Sequence, residues 1–413
     1  MEDKFEQLVA ALTVSSPSTN VLHQIILLLE QQTSESLTPF VSQSFQSLLT
    51  LEQWTWQVLS KDSHQCIGEP NYSEFFHTLA SFNKTLILQY DGIEADTKAS
   101  LLIPDGIHPI DDIFGLIEKS DDENDSFLII VSLWFENLVY FLHEYPQFEI
   151  SPLIAHINQY MASRILMTDQ YKFYLSQLRQ AQLPQSIFTA KQQFYINTCS
   201  FSLGSYLLRK PETFTYTPNE MLHHICDGFS EIIFVHSENV ESRSKEFVTC
   251  IARLLVLVSG CCLWAREKRM HVDILFPTEQ IICKYIDALI HIIGQKQFLG
   301  LITAQRSNDE TILVDISLLF LMHIAQSQNL NSFFRSKTSL PDILLTIAET
   351  SANDRIRLYA YGLLVDILTE EHLKELKITG SMSAFIFKML NEAWKHPSKN
   401  YKQIPMYYLL RGE

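Results

Sequence analysis

The chain has 413 residues, 46% hydrophobic and 11% aromatic, a content that excludes intrinsic disorder, which needs few aromatics and high charge. Only 12 glycines occur, too few for the tight turns and glycine phosphate loops on which sandwiches, propellers and doubly wound sheets depend. The net charge of −16 leaves no basic footprint for nucleic acid or an anionic membrane, and it is lopsided: residues 1–200 hold 24 acids and 9 bases, a net of −15, whereas residues 201–413 hold 23 and 22, a net of −1.

In chain order, the first residues place Glu2 and Asp3 where a secretory signal needs basic residues, and no apolar stretch follows, which predicts a cytoplasmic protein. Phe5, Leu8, Val9 and Leu12 then fall at i, i+3, i+4 and i+7, the stripe of a helix with one buried face. Phe75, Leu79, Phe82 and Leu86 repeat that kind of stripe. The apolar runs near 127–142 and 247–264 are interrupted by Glu136 and Arg253, so both are predicted to be buried helices and not membrane spans. Alternating strand patterns are missing. Start signals recur at Ser151-Pro152, at Thr217, Pro218 and Glu220, and at Ser339, Pro341 and Asp342, where a hydroxyl cap precedes a proline in the first turn. About sixteen helices are predicted, with loops near 61–72, 91–110, 118–125, 181–187, 210–217, 267–277, 305–311 and 395–402. From the charge shift we divide the chain into an acidic, irregular helical region at 1–205 and a more regular one at 206–413.

Motifs with catalytic or ligand-binding chemistry are scarce. The seven cysteines are irregularly spaced, several within apolar helical runs, which indicates a reducing compartment rather than a disulfide framework. Asp121, Asp122, Glu123 and Asp125 suggest a calcium loop only superficially, because Ser126 and Ser132 stand where the loop needs glycine and a bidentate glutamate; a solvated acidic loop is expected. His223, His224 and Cys226 lack a second ligand pair for zinc. Asp62, His64 and Cys66 adjoin in sequence, whereas a thiol nucleophile and its base normally meet through the fold. The vicinal pair Cys261-Cys262 sits in so apolar a run that both thiols are expected to be buried and inert. Signatures of phosphate loops, dinucleotide folds, zincins and serine hydrolases are missing. No catalytic residue, cofactor or metal is therefore assigned.

The C-terminal third is periodic. Leu318-Leu319, Leu363-Leu364 and Leu409-Leu410 are spaced by 45 and 46 residues, the period of two- or three-helix solenoid repeats. Shorter apolar helices are predicted between them at 341–350, 370–377 and 381–394. In the segment 353–364 and its continuation, Ile356, Ala360, Leu363, Leu364 and Ile367 form a buried stripe, with Ala360 and Gly362 small enough for close helix contact. On these residues the chain resembles the armadillo-type helical repeat family, most clearly over 305–413. It is more weakly similar to invertebrate armadillo-fold proteins associated with TIR signalling domains, although no strand–helix alternation of a TIR domain is encoded here. The resemblance implies an all-α, armadillo/HEAT-like right-handed α-solenoid of about sixteen helices, with armadillo-like repeats over 206–413 that continue the acidic region 1–205 in one superhelix. Aligned on the paired leucines, Tyr361 stacks with Tyr407 and Arg357 lies beside Gln403, so these four residues are the candidate partner-binding ladder of a concave groove.

The expected function is a non-enzymatic protein–protein interaction scaffold, with basic proteins as the partners of the acidic half and neither nucleic-acid binding nor membrane insertion. The alternative is the regulatory helical-repeat half of a larger signalling protein, TIR-linked in the extreme case, whose catalytic domain lies outside this chain. The C-terminal residues end inside a repeat pattern, without the polar cap a solenoid needs, which is the expectation for a fragment of a longer product.

Overall fold

The structure, a computed structural model, describes residues 2–14, 18–61, 70–88, 92–103, 108–120, 125–145, 148, 152–165, 169–180, 189–209, 245–268, 270, 276, 278–294, 317–322, 324–325, 330–351, 354–375, 380–385 and 387–388. Every regular element among the described residues is helical. In chain order they are α1 Glu2–Val14, α2 Thr19–Glu30, α3 Ser34–Lys61, α4 Pro70–Leu88, α5 Ala95–Leu102, α6 His108–Lys119, α7 Ser126–Glu144 and α8 Pro152–Tyr160, the last continuing into a π-helical turn, Met161–Ile165. They continue with α9 Asp169–Gln180, α10 Ala190–Gln192, a second π-helical turn Gln193–Thr198, α11 Cys199–Arg209, α12 Lys245–Glu267 and α13 Glu279–Ile293. The last are α14 Asn331–Ser336, α15 Leu340–Thr350, α16 Asp354–Ile367 and α17 Glu370–Glu375, with further helical residues at 317–322, 324–325, 380–385 and 387–388.

Contacts divide the chain into two compact units, one of residues 1–158 and 188–194 and one of residues 159–187 and 195–413. Residue 205, the boundary suggested by charge, lies inside α11. The charge itself follows the contact boundary more closely: unit 1 holds 23 acids and 6 bases, a net of −17, and unit 2 holds 24 and 25, a net of +1.

In unit 1 the predicted stripes are core. Phe5, Leu8, Val9 and Leu12 of α1 are buried, as are Phe75, Leu79, Phe82 and Leu86 of α4. Aromatic rings space the helices: Phe40 of α3 meets Phe5 and Phe82 edge-on at centroid distances of 5.2 and 6.1 Å, and Trp54 meets Phe75 at 5.8 Å. The principal helix contacts are near-neighbour ones: α1 with α2 and α3, α2 with α4, α3 with α5 and α6, α4 with α5 and α7, and α7 with α10. Helix α3 contains Pro39, and the helix kinks five residues later, where Ser44 leaves helical geometry (φ −107°, ψ 16°). Helix α5 occupies part of the segment 91–110 predicted to be loop. It escapes sequence reading because its inner face includes Lys98, which is fully buried with Nζ donating to the Tyr145 hydroxyl at 2.8 Å.

In unit 2, α11 and α12 cross with their backbones in contact. A Cβ added to Gly204 would stand 2.5 Å from the Leu257 amide nitrogen, and one added to Gly260 would stand 2.7 Å from the Gly204 carbonyl oxygen. No side chain fits in that space, so the crossing requires glycine on both helices. The predicted stripe Ile356, Ala360, Leu363, Leu364 and Ile367 is buried on α16, and Gly362 approaches the helical residues 317–322 closely, with Met322 Cε 3.3 Å from where its Cβ would be. Helix α16 packs on α14, α15 and α17. Ser339 precedes α15 as predicted, but its backbone is helical (φ −83°, ψ −16°) and its hydroxyl makes no cap bond, leaving Pro341 in the first turn as the start signal. Leu318, Leu319, Leu363 and Leu364 are buried; Leu409-Leu410 and the start signal at 217–220 lie outside the described residues.

Candidate functional site

Two of the four predicted groove residues are described, and they come together without forming an open ladder. Arg357 and Tyr361 stand one turn apart on α16. Tyr361 is only 2% exposed, with its ring 5.6 Å from that of Phe385. The Arg357 guanidinium lies 4.3 Å over the same Phe385 ring, its Nε donates to the Ala348 carbonyl at 2.9 Å, and its Nη1 is 3.5 Å from Asp354 Oδ1. Lys388 Nζ approaches the other Asp354 oxygen at 3.5 Å. The assignment of Tyr361 to an accessible binding face is therefore corrected: its ring is an inter-helix packing element, and Arg357 clamps α16 to α15 and to Phe385. Spacing alone put Tyr361 on the outer face, whereas the helical residues 380–385 cover it. Gln403 and Tyr407 lie outside the described residues, as do the groupings Asp62, His64, Cys66 and His223, His224, Cys226.

The remaining candidates have clear places. Cys261 and Cys262 are free thiols, fully buried on α12 as expected. Asp125, expected in a solvated loop, is instead the buried N-cap of α7: its Oδ1 accepts from the Phe127 amide at 2.9 Å, and the Ser120 hydroxyl donates to its Oδ2 at 2.6 Å. A side-chain oxygen satisfying a first-turn amide is the ordinary reason for Asp at that position.

Two buried polar centres had no sequence signal. In unit 1, Asn83 Nδ2 of α4 donates to Glu52 Oε1 of α3 at 2.9 Å. Burial pushes the Glu52 carboxyl up to about 7, and the Asn83 hydrogen bond offsets this only in part. In unit 2, the Tyr171 and Ser200 hydroxyls lie 3.1 Å apart. Burial raises the Tyr171 phenol above its ordinary range, with the thiols of Cys199, Cys250 and Cys261 adding to the effect. Burial also pushes the Cys250 thiol up to about 12, against the opposing charge of Arg253, and raises Cys199 well above the ordinary thiol range. Thiols held protonated are poor nucleophiles and poor metal ligands, so this cluster is chemically quiet. No group of three or more His, Cys, Asp or Glu side chains among the described residues is arranged to hold a metal ion.

Unit 1 carries an accessible pocket and an acidic surface among the described residues. Its surface carries the exposed carboxylates of Glu30, Glu35, Glu74, Glu94, Asp96, Asp111, Asp112 and Glu118. Asp111 is 2.6 Å from His156 Nε2. A pocket of about 380 Å³ opens where the C-terminus of α2 and the start of α3 meet α4. Its apolar walls are Leu29, Leu37 and Phe82, and its polar ones are Glu30, Gln32, His77, Thr78, Ser81 and Thr85. Helix α2 has no basic residue in its last turn, and its Leu27, Leu28 and Leu29 carbonyls accept from Gln31 N, Gln32 Nε2 and Gln32 N, so Glu30 stands at the capped negative end of the helix. This pocket was not foreseen: Glu30 reads as an ordinary surface residue until the turn at 31–33 brings α2 beside α4.

No helix among the described residues is long and apolar enough to cross a membrane. No family model, curated protein or solved structure matches the chain.

Proposed function

We propose that the protein is a non-enzymatic, cytoplasmic scaffold of stacked helices, armadillo-like in plan, that docks a basic protein partner on unit 1. The observation that carries this reading is the charge partition, a net of −17 on unit 1 against +1 on unit 2, together with the exposure of the unit 1 acids on several different helices. A field of one sign spread over a surface steers oppositely charged partners and excludes like-charged ones. The repeat-array plan is supported by near-neighbour helix contacts, the pattern in which each element of a solenoid stacks only on those close to it in sequence. The free thiols of Cys199, Cys250, Cys261 and Cys262 fit a reducing compartment.

The test is capture of partners by the wild-type chain and by a variant with Asp111→Asn, Asp112→Asn and Glu118→Gln on α6. Partners engaged through unit 1 are expected to carry basic contact segments, to be lost as salt rises above about 0.15 M, where the Debye length falls below about 8 Å, and to be depleted by the variant. Partners retained equally by both chains at all salt concentrations would overturn the reading.

A further inference from the structure

The geometry points to the pocket at the end of α2 as a seat for an arginine side chain of that basic partner, an inference that rests on the function proposed above and adds to it a specific site and a specific chemical group.

Three features converge. First, the site is cation-favouring by construction. The Glu30 carboxylate lines the pocket beside the imidazole of His77, and α2 ends there with no lysine, arginine or histidine in its last turn, although the Leu27, Leu28 and Leu29 carbonyls already accept from Gln31 N, Gln32 Nε2 and Gln32 N. Unit 1 as a whole reinforces that sign. Second, the walls are mixed in the way an arginine requires. Buried Leu29, Leu37 and Phe82 provide an apolar surface for the aliphatic stem, since long cationic side chains lay their methylenes on apolar surface and keep the charged head near water. Third, several acceptors ring the pocket: the Thr78, Ser81 and Thr85 hydroxyls join Glu30. A planar guanidinium has five donors in a fixed fork, whereas a lysine ammonium is a compact point charge. The volume, about 380 Å³, admits one such side chain.

The experiment uses the full chain at low salt and titrates three fluorescent peptides: nona-arginine, nona-lysine and nona-citrulline. Nona-arginine is expected to bind, nona-lysine several-fold more weakly, and nona-citrulline not at all, because citrulline keeps the shape and loses the charge. Two variants address the pocket. Glu30→Gln removes one negative charge there, and Ser81→Arg places a guanidinium on the rim to occupy the site from within. Asp112→Asn removes the same charge elsewhere on unit 1. Glu30→Gln and Ser81→Arg are each expected to lower nona-arginine affinity by about fivefold or more, the scale of a charge-assisted hydrogen bond, and Asp112→Asn by less than about twofold, the scale of an exposed charge in salt solution. Glu30, Ser81 and Asp112 are exposed, and unchanged thermal melts will confirm that the variants fold. If nona-arginine binds but Glu30→Gln falls no further than Asp112→Asn, or if nona-lysine binds as well as nona-arginine, the arginine seat is overturned while the acidic docking surface stands. If nona-arginine fails to bind the wild-type chain at all, the docking reading itself falls.

Discussion

Both units use aromatic spacers, Phe276, Tyr285 and Phe320 among them in unit 2, but they differ at their tightest helix crossing. Unit 1 holds its helices apart with large rings: Phe5, Phe40 and Phe82 form one edge-to-face chain, and Trp56 and Trp134 meet at 4.2 Å. Unit 2 brings one pair of helices into backbone contact through Gly204 and Gly260 and lines the neighbourhood with small thiols. Surfaces differ in step, with the acid excess confined to unit 1. The lesson is that an all-helical plan leaves the spacing of helices open. A crossing spaced by rings is sensitive to losing volume, and a crossing closed on glycines is sensitive to gaining it.

The sharpest break of that comparison is a truncation in unit 1. Phe75→Ala, at a fully buried position against Trp54 and Phe76, is expected to cost about 4 kcal/mol through the cavity left behind, measured by chemical denaturation. A loss below about 1 kcal/mol would mean that the rings of unit 1 repack freely and do not set its spacing.

Next in size is the reciprocal change. Gly204→Ala should cost about 3 kcal/mol, because the added methyl meets backbone, which cannot rotate out of the way as a side chain can. The matched control is Gly115→Ala in α6 of unit 1, where a Cβ meets nothing within 4 Å. That change should stabilise by about 0.5–1 kcal/mol through lower backbone entropy of the unfolded chain and better helix propensity. Equal effects of the two would remove the backbone contact as a distinguishing feature of unit 2.

The last prediction concerns Glu52. Its folded value of about 7 stands above the unfolded value of 4.5, so the folded state binds the proton more tightly. Stability from this group is therefore fully present below about pH 4.5 and is lost as pH rises to about 7, by up to about 3 kcal/mol. Glu52→Gln keeps an uncharged hydrogen-bonding group toward Asn83 and should flatten that slope, so that the variant is the more stable protein at pH 8. Parallel stability profiles for wild type and variant between pH 4.5 and 8 would show that the Glu52–Asn83 pair is solvated.

Much of this fold was legible locally. The stripes of α1, α4 and α16 are core where the 3.6-residue period placed them, because a helix buries one face whatever it packs against. The two apolar runs proved to be the helices α7 and α12, since a single charge does not interrupt a helix: Arg253 is buried with its guanidinium 5.2 Å over the Phe201 ring. The candidate site was far less legible. Tyr361 was assigned outward from repeat spacing and is buried, because a second layer of helix at 380–385 covers a face that one helix alone would leave open.

What the chain determined by itself is therefore what depends on neighbours in sequence: helix type, the buried stripes of α1, α4 and α16, and a separation of charge that follows the compact units. The tertiary structure alone decided the status of each polar group and the gaps between helices. Lys98 and Glu52 are buried, and Glu30 borders an open pocket, although all three are charged residues on helical segments. Burial of a charge is set by whether a distant residue supplies its hydrogen bond, Tyr145 for Lys98 and Asn83 for Glu52. Such partners lie dozens of residues away in the chain, where local periodicity carries no information about them.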